Sequence, residues 1–286
     1  MIYVTDWRRG AVLALDALAT GAGFNWLDGN PMDIGPMTRP SGIALDASGG
    51  LIVADTGKHR IVTIDPATGA TAVLHSGASD IGPLRGPAGV ALTAAASLVI
   101  ADQGNHRIVF TALLPDAEWS AFGSPGMSPG GFMAPTGVHV DHAGRILVAD
   151  PGAARLVRID APDGSGWTDI ALPAGPGLAR PYALAAGPDG GILVTDVYNH
   201  RILLLAGEVL SVLIDGAGDY SLMAPVGVAM LGGDIVVAEA GAARISRWAR
   251  DDAGIWSAVE QLDGRGGPGG GPEFSALTSL TVKEQP

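Results

Sequence analysis

The chain has 286 residues, of which 47% are hydrophobic, with 43 glycines, 20 prolines and no cysteine. The lack of cysteine excludes disulfide bracing, and hydrophobic content this high indicates that glycine and proline serve turns and not disorder. The formal net charge of −12 provides no general basic field. We therefore expect no nucleic-acid partner, because such binding depends on lysine and arginine at phosphates.

No targeting or membrane segment is predicted. Met1 leads directly into a strand-like run, and residues 11–20 are interrupted by Asp16 and lack a basic leader. No apolar run approaches the roughly 20 residues that span a bilayer. With the cysteine-free composition, these features favour a cytoplasmic protein without direct membrane insertion, and they leave export by another segment or partner open.

The chain begins with MIYVTDW, an apolar run that has the form of a strand ending in an acid, Asp6. One phrase then returns five times: Pro-x-Gly, an apolar strand ending in an acid, four residues, and an arginine followed by an aliphatic residue. The copies begin near residues 40, 87, 135, 181 and 225, and the last two are weaker. Their strand-ending acids are Asp55, Asp102, Asp150, Asp196 and Glu239. A period in the forties indicates repeated four-stranded units.

The sequences of the two chain ends predict how the repeated units form a closed ring. The run SALTSLTVK at 275–283 follows a glycine-rich stretch, as the first strand of a unit does, whereas residues 1–24 lack such a strand. We predict that the ends share blade 1 and that residues 1–286 form a single domain. The predicted fold is all-β, a six-bladed β-propeller of four-stranded antiparallel blades closed by the terminal strands, which leaves few exposed sheet edges.

Each strand-ending acid outside blade 1 is followed five residues later by an arginine, as Asp102 is by Arg107. A group that recurs in every blade is better explained by a structural role than by catalysis. We expect the carboxylate to accept N–H groups of the adjacent turn or to pair with the arginine. Blade 1 departs from the pattern, because Ala11 follows Asp6 at that spacing.

Three of the six histidines also repeat, in the phrase His-Arg-Ile, and are interpreted as structural. These are His59, His106 and His200. His139 differs, because it replaces the alanine found at the same inner-strand position of other copies. We expect it near the central channel, where it is the one weak candidate for a metal ligand.

These phrases resemble the NHL-repeat family of β-propellers. The resemblance is carried by GSPGMSPGGFMAPTGV at 123–138, GNHRI at 104–108 and YNHRI at 198–202. It implies a six-bladed propeller and leaves the function open, because the family includes peptide- and protein-binding modules, RNA-binding domains and a lyase.

The main hypothesis is an NHL-type propeller that serves as a protein- or peptide-binding scaffold, alone or as a subunit of a larger assembly. The alternative is a metal-dependent lyase or hydrolase, amidating-lyase-like or lactonase- or esterase-like. The resemblance implies Ca²⁺ or Zn²⁺ on the propeller axis for that alternative, and no cofactor is predicted for the scaffold. The inner-strand positions are mainly Ala, Val and Gly, and no H-E-x-x-H motif occurs. The letters G-x-S-x-G occur at 126–130, but they stand in a glycine- and proline-rich loop and not at the strand-to-helix elbow that the motif requires. No catalytic residue is therefore predicted.

One face of the propeller carries the predicted binding residues. The loops that lead into the inner strands and the turns that follow the acids lie at the same end of the propeller, because neighbouring strands run antiparallel. The residues are Arg39, Arg180, Tyr182, Trp7, Arg8, Arg9, Lys58 and Tyr198. Arginine and aromatic residues are enriched at binding hot spots. Arg39 and Arg180 belong to blades three apart, opposite one another across the axis, and an acidic protein or peptide is the expected occupant.

Overall fold

The computed structural model describes residues 1–18, 23–28, 34–75, 81–113, 117–171, 177–215, 221–264 and 274–283. Within these ranges the regular structure is β-strand, apart from single-turn 3₁₀ helices. No helix in the described part of the chain is long and apolar enough to cross a membrane.

The strands form six antiparallel four-stranded sheets, which confirms the predicted fold class. We name the strands of each blade inner, second, third and outer. The inner strands of blades 1 to 6 are Leu277–Val282, Pro40–Leu45, Pro87–Leu92, Val138–Val140, Pro181–Ala186 and Pro225–Leu231. The second strands, in the same order, are Ile2–Asp6, Leu51–Asp55, Ser97–Asp102, Ile146–Asp150, Ile192–Asp196 and Asp234–Glu239. The third strands are Ala11–Leu15, Arg60–Ile64, Arg107–Ala112, Arg155–Ile159, Arg201–Ala206 and Arg244–Arg250, and the outer strands are Phe24–Leu27, Thr71–His75, Trp119–Phe122, Thr168–Asp169, Val209–Ile214 and Trp256–Asp263.

The turns between second and third strands are built alike in blades 2 to 5. Each contains a single-turn 3₁₀ helix: Thr56–Lys58, Gln103–Asn105, Pro151–Ala153 or Val197–Asn199. The residue after each helix is left-handed, with φ between 51° and 57°. A fifth helix, Pro188–Gly190, follows the inner strand of blade 5, and a short parallel ladder joins Ser124–Pro125 to Gly131–Phe132 in the loop before blade 4.

The N- and C-terminal strands pair in blade 1. Ile2 lies opposite Val282, and Met1 and Lys283 exchange backbone hydrogen bonds of 3.1 and 2.9 Å. Each inner strand packs against the next one around the ring, including blade 6 against blade 1 and blade 1 against blade 2. The ring is therefore closed by the pairing of the chain ends.

The second strands are buried on both faces, which explains why their sequences are apolar without alternation. All five residues of Leu51–Asp55 are buried, as are those of Ile146–Asp150. The hydrophobic clusters extend from one blade to the next; one of them joins Ile52 in blade 2 to Ile100 in blade 3. Burial between blades therefore stabilises the ring as a whole.

The glycine of the Pro-x-Gly phrase is required by the close approach of neighbouring inner strands. A Cβ on Gly42 would lie closer than 3.0 Å to the carbonyl oxygen of Ala88 in the next blade. A Cβ on Gly89 would overlap the carbonyl oxygen of Thr136 in the same way. Because both obstacles are backbone atoms, they cannot move aside as a flexible side chain could.

The residue that precedes this glycine in blades 2 and 4, and its equivalent in blade 1, link the blades by hydrogen bonds through a hydroxyl group. The bonds run from Ser41 to the carbonyl of Ala88 (2.9 Å), from Thr136 to that of Tyr182 (3.1 Å) and from Thr278 to that of Pro40 (2.9 Å). In each case a side chain satisfies a carbonyl of the next blade, so the inner strands are held together by polar as well as apolar contacts.

The acid at the end of each second strand joins three parts of its blade. In blade 3, Asp102 accepts hydrogen bonds from the Nε of Arg107 (2.7 Å), the side-chain amide of Asn105 (2.8 Å) and the backbone N–H of Arg85 (2.7 Å). Arg107 in turn donates to the carbonyl of Ile81. Arg85 and Ile81 belong to the loop that leads into the inner strand, which we call the leading loop. Of the two expected partners, the arginine is confirmed in blade 3, and the backbone N–H bound by Asp102 comes from the leading loop.

The same arrangement recurs in blades 2, 4, 5 and 6. The ion pairs are Asp55 with Arg60 (2.7 Å), Asp150 with Arg155 (3.3 Å), Asp196 with Arg201 (2.9 Å) and Glu239 with Arg244 (2.8 Å). Every one of these acids is fully buried and also accepts a leading-loop N–H group. A buried carboxylate without these partners would be strongly unfavourable, so the leading loop is held in one position.

Blade 1 replaces the arginine by contacts from the chain ends. Asp6 accepts hydrogen bonds from the backbone of Arg8 and Arg9 in its turn and from the backbone and hydroxyl of Ser275. Burial would raise the pKa of Asp6, but hydrogen bonds from Ser275, Arg9 and Ala276 outweigh it and hold the pKa below its usual value. This carboxylate therefore contributes to ring closure.

The repeated histidines connect each blade to the next leading loop. The Nδ1 of His59 accepts the N–H of Gly86 (2.9 Å), and that of His200 accepts the N–H of Ala224 (3.0 Å). The Nδ1 of His106 lies 2.7 Å from the carbonyl oxygen of Met133. These contacts account for the recurrence of histidine without a catalytic role.

Ring closure predicts the effect of a C-terminal truncation. Removing residues 275–286 deletes the inner strand of blade 1 and exposes the edge of Ile2–Asp6, so the product should aggregate or unfold in size-exclusion chromatography and thermal melting. A chain ending at Lys283 keeps that strand and is the control. If the chain truncated after residue 274 remained a monomer with an unchanged melting temperature, the conclusion that the chain ends share a blade would be contradicted.

Close approach of the inner strands predicts that Gly89→Ala lowers the free energy of unfolding by about 3 kcal/mol, because the added methyl group overlaps backbone of the next blade. Gly233→Ala is the matched control, since a Cβ there meets nothing within 4 Å. Urea denaturation of both variants measures the difference. Equal stability of the two variants would show that the inner strands can move apart at little cost.

The buried carboxylates predict that Asp102→Ala destabilises the protein by about 3 kcal/mol, because Arg107 loses its charge partner and the Arg85 N–H loses its acceptor. Glu118→Ala removes an exposed acid and should change stability by less than about 0.5 kcal/mol. Chemical denaturation provides the measurement. The structural assignment fails if Asp102→Ala is as stable as the Glu118 variant.

Candidate functional site

The six inner strands surround a central channel with a cavity volume of 370 Å³. Small-molecule pockets have volumes of this order. Its lining comes from all six inner strands and contains two titratable side chains, His139 and Tyr182, and no carboxylate or basic side chain. The channel wall is therefore mostly backbone and small apolar residues.

The structure places His139 in this lining, on the inner strand of blade 4. Burial lowers the pKa of His139, and the nearby charge of Asp141 opposes this shift only in part. The imidazole is therefore neutral at pH 7. In the other blades the equivalent residues are Ala44, Ala91, Ala185, Ala229 and Thr281.

The channel lining does not fit the axial metal that the family resemblance implies for an enzyme. A Ca²⁺ ion takes six to eight oxygen ligands, and Zn²⁺ takes three or four nitrogen, sulfur or carboxylate ligands. The lining offers one imidazole, and three of its hydroxyl groups already donate to carbonyls of neighbouring blades. Across the described ranges no three His, Cys, Asp or Glu side chains are grouped so that they could hold a metal ion.

The leading loops and the turns after the second strands meet at one end of the channel. Arg39, next to the inner strand of blade 2, has its guanidinium 4.7 Å from the ring centre of Trp7 on the turn of blade 1. The N–H of Thr38 donates to Asp55 at 2.6 Å, so the buried carboxylate fixes the backbone just before Arg39. The exposed arginine is therefore held at its base by the fold and along its side chain by an indole ring.

Arg180 occupies the equivalent place in blade 5. Its guanidinium lies 5.2 Å from the ring of Tyr198 and 5.9 Å from that of Tyr182, and it donates a 2.7 Å hydrogen bond to the hydroxyl of Tyr198. Asp196 accepts the N–H groups of Ala179 and Arg180, and Asp55 accepts that of Thr38 at the position equivalent to Ala179. Burial raises the pKa of Tyr182, so its hydroxyl stays protonated.

The remaining predicted binding residues are placed less uniformly. Arg9 turns outward and packs 4.0 Å above the ring of Trp26 on the outer strand of blade 1, which separates it from the channel. Arg8 and Lys58 are exposed on their turns. The structure thus brings Arg39 together with Trp7, and Arg180 together with both tyrosines, but it does not gather all eight residues in one cluster.

Three leading-loop residues at this end were missed by the sequence analysis. Arg85 precedes blade 3 and is exposed, and Met133 and Met223 precede blades 4 and 6. Each stands two residues before the proline of the repeated phrase, so an alignment of the copies at that proline would have found them. We call the following set the mouth surface: Trp7, Arg8, Arg39, Lys58, Arg85, Met133, Arg180, Tyr182, Tyr198 and Met223.

Charge is distributed unequally between the two ends of the channel. Within the described residues, the turns after the second strands contain no acid, and the mouth surface includes five basic side chains: Arg8, Arg39, Lys58, Arg85 and Arg180. The described turns and strand ends at the opposite end carry Asp16, Asp46, Asp65, Glu118, Asp141, Asp160, Asp163, Asp189, Glu208, Asp251 and Asp252, with Arg145, Arg250 and Lys283 as basic residues. The mouth surface is therefore a basic region on an acidic protein.

The fold is shared with solved structures of different kinds. A nidogen–laminin complex contains a chain that is similar over 99% of both chains, with a TM-score of 0.73 and 16% identity. A streptogramin B lyase is similar over 91% of this chain and 73% of its own, with a TM-score of 0.59 and 15% identity. A catalytically inactive virginiamycin B lyase from Staphylococcus aureus with quinupristin is similar over 77% and 69%, with a TM-score of 0.58 and 16% identity. At such identity these likenesses show the fold alone.

No curated protein matches the chain by sequence. The NHL repeat family model matches residues 37–64 and 178–203. These two segments hold the leading-loop residues, strand-end acids and His-Arg-Ile turns of blades 2 and 5, from which Arg39 and Arg180 project. The chain is therefore a six-bladed β-propeller that carries NHL repeats in blades 2 and 5.

Proposed function

We propose that this NHL propeller is a protein- or peptide-binding scaffold and that its partner binds at the mouth surface. The observation that carries the proposal is the pair of preorganised arginines, Arg39 on Trp7 and Arg180 between two tyrosines, in opposite blades. Side chains that are already ordered lose less entropy on binding, so their contacts contribute more to affinity.

The buried carboxylates support this role. Asp55 and Asp196 hold the backbone that precedes or contains each arginine, so the spacing of the two guanidinium groups is set by the ring of blades. An arginine whose stem and base are fixed can donate its free N–H groups to a carboxylate in a defined geometry. A rigid pair of this kind is suited to recognise a partner that presents acidic groups.

The similar solved structures include both a protein complex and lyases. The alternative function, a metal-dependent lyase or hydrolase, would require ligands for Ca²⁺ or Zn²⁺ on the axis. The lining of the channel offers no such set among the described residues. The mouth surface, by contrast, has the residue types that are enriched at protein interfaces, and we therefore favour the scaffold.

Arg39→Ala and Arg180→Ala should each weaken binding of the native partner by about 1–2 kcal/mol, a loss typical of interface anchors. The partner is identified by affinity capture from the native source with mass spectrometry, and its dissociation constants are then measured from 50 to 500 mM salt. Affinity should fall as salt increases, because the contacts pair opposite charges near the surface.

Arg250→Ala is the matched control, because Arg250 is exposed and lies near Asp189 at the opposite end of the channel. It should leave affinity unchanged. Full affinity in the Arg39 and Arg180 variants would place the partner elsewhere on the propeller. A stoichiometric metal in the captured protein, with turnover that depends on it, would favour the enzyme.

A further inference from the structure

Two exposed methionines lie among the arginines of the mouth surface. Met133 is 38% exposed and Met223 is 45% exposed. Each directly follows a buried residue of its leading loop, Phe132 or Leu222, and the backbone N–H of each methionine donates to the strand-end acid of its blade. The fold therefore fixes the backbone at both positions while it leaves the side chains open to solvent.

The leading loops of the mouth surface present two kinds of side chain. Blades 2, 3 and 5 present Arg39, Arg85 and Arg180, whereas blades 4 and 6, on either side of blade 5, present Met133 and Met223. Methionine is flexible and polarizable, and it is common on surfaces that accept varied apolar side chains. A ligand that covers the mouth surface therefore meets both cationic and apolar side chains.

We infer that the partner segment bound at the mouth is acidic and carries apolar side chains that contact Met133 and Met223. This inference rests on the proposed function and adds the chemistry of the segment. The carboxylates of the segment pair with Arg39, Arg85 and Arg180, and its apolar residues cover the two methionines. The charge of the mouth, which is opposite to that of the rest of the chain, supplies the complementarity.

A nucleic acid fits the mouth surface less well. Phosphates could pair with the arginines, but methionine offers neither a charge nor an aromatic face for stacking. The ring of Trp7 is covered by Arg39. The net charge of −12 also opposes a polyanion with a regular charge along its whole length, whereas a short acidic segment places its charge only at the mouth.

The test is selection of a random dodecapeptide library, displayed on phage, against the full-length protein, with counter-selection against the Arg39→Ala, Arg180→Ala double variant. We expect enriched sequences that combine Asp or Glu with Leu, Ile, Phe or Met. A basic or uncharged consensus, or no enrichment, would overturn the inference. Tighter binding of a labelled oligouridine than of the best peptide would overturn it in favour of a nucleic acid.

The methionines are tested with the best selected peptide by fluorescence anisotropy. Met133→Ser and Met223→Ser should each weaken binding by about fivefold, because apolar contact area is lost while the charges remain. Ile255→Ser is the control, since Ile255 is 63% exposed on a turn at the opposite end of the channel. Unchanged affinity in both methionine variants would show that the segment binds through charge alone and would overturn the apolar part of the inference.

These results separate the inference from the proposed function. If the native partner is lost from the arginine variants but the selected peptides have no acidic and apolar consensus, the proposed function stands and the inference fails. If the native partner binds the arginine variants with full affinity, both fail.

Discussion

The buried acid at the end of each second strand is the interaction on which the rest of the structure depends. It accepts hydrogen bonds from the arginine that begins the third strand and from the leading loop that precedes the inner strand, as Asp102 does with Arg107 and Arg85. The second strand, the third strand and the leading loop of a blade thereby share one charged group. An unpaired carboxylate inside a protein is strongly unfavourable, so the three segments form together or not at all. In blade 1 the same position, Asp6, is satisfied by the C-terminal segment and so contributes to closing the ring.

Because the inner strands pack closely, the channel has few polar groups for a ligand, and the candidate site lies at the mouth of the channel. The glycine of each Pro-x-Gly phrase, such as Gly42, lets the backbone of one blade approach that of the next. Hydroxyl groups such as that of Thr136 are used in bonds between blades and are not free for a ligand. The channel that results carries one imidazole and no carboxylate among its lining residues, whereas the leading loops carry arginine, tyrosine and methionine.

Positions that repeat in every blade and positions that differ have separate roles in this propeller. The repeated acids, arginines and histidines all contact other parts of the fold. The two leading-loop residues before the repeated proline differ between blades, although an acid holds the backbone there in the same way. They are Thr38 and Arg39 in blade 2, Met133 and Ala134 in blade 4, and Ala179 and Arg180 in blade 5. A constant frame therefore presents a variable ring of side chains, which is suited to a binding surface that differs between members of one fold.

The sequence alone determined the fold, because a period near 47 residues, strands ending in an acid and the match between the two chain ends admit one closed arrangement. The sequence also placed Arg39 and Arg180 on one face, because antiparallel strands bring all leading loops to the same end. It placed them in opposite blades, because their copies of the repeat are three apart in a ring of six. It did not reveal the source of the N–H groups bound by Asp102, because these come from a loop 17 residues earlier that only the sheet brings near. An alignment of the copies at the repeated proline would have found Met133 and Met223, but the sequence did not show that Arg9 packs outward on Trp26. Those facts depend on side-chain packing between segments far apart in the chain, which the tertiary structure alone decides.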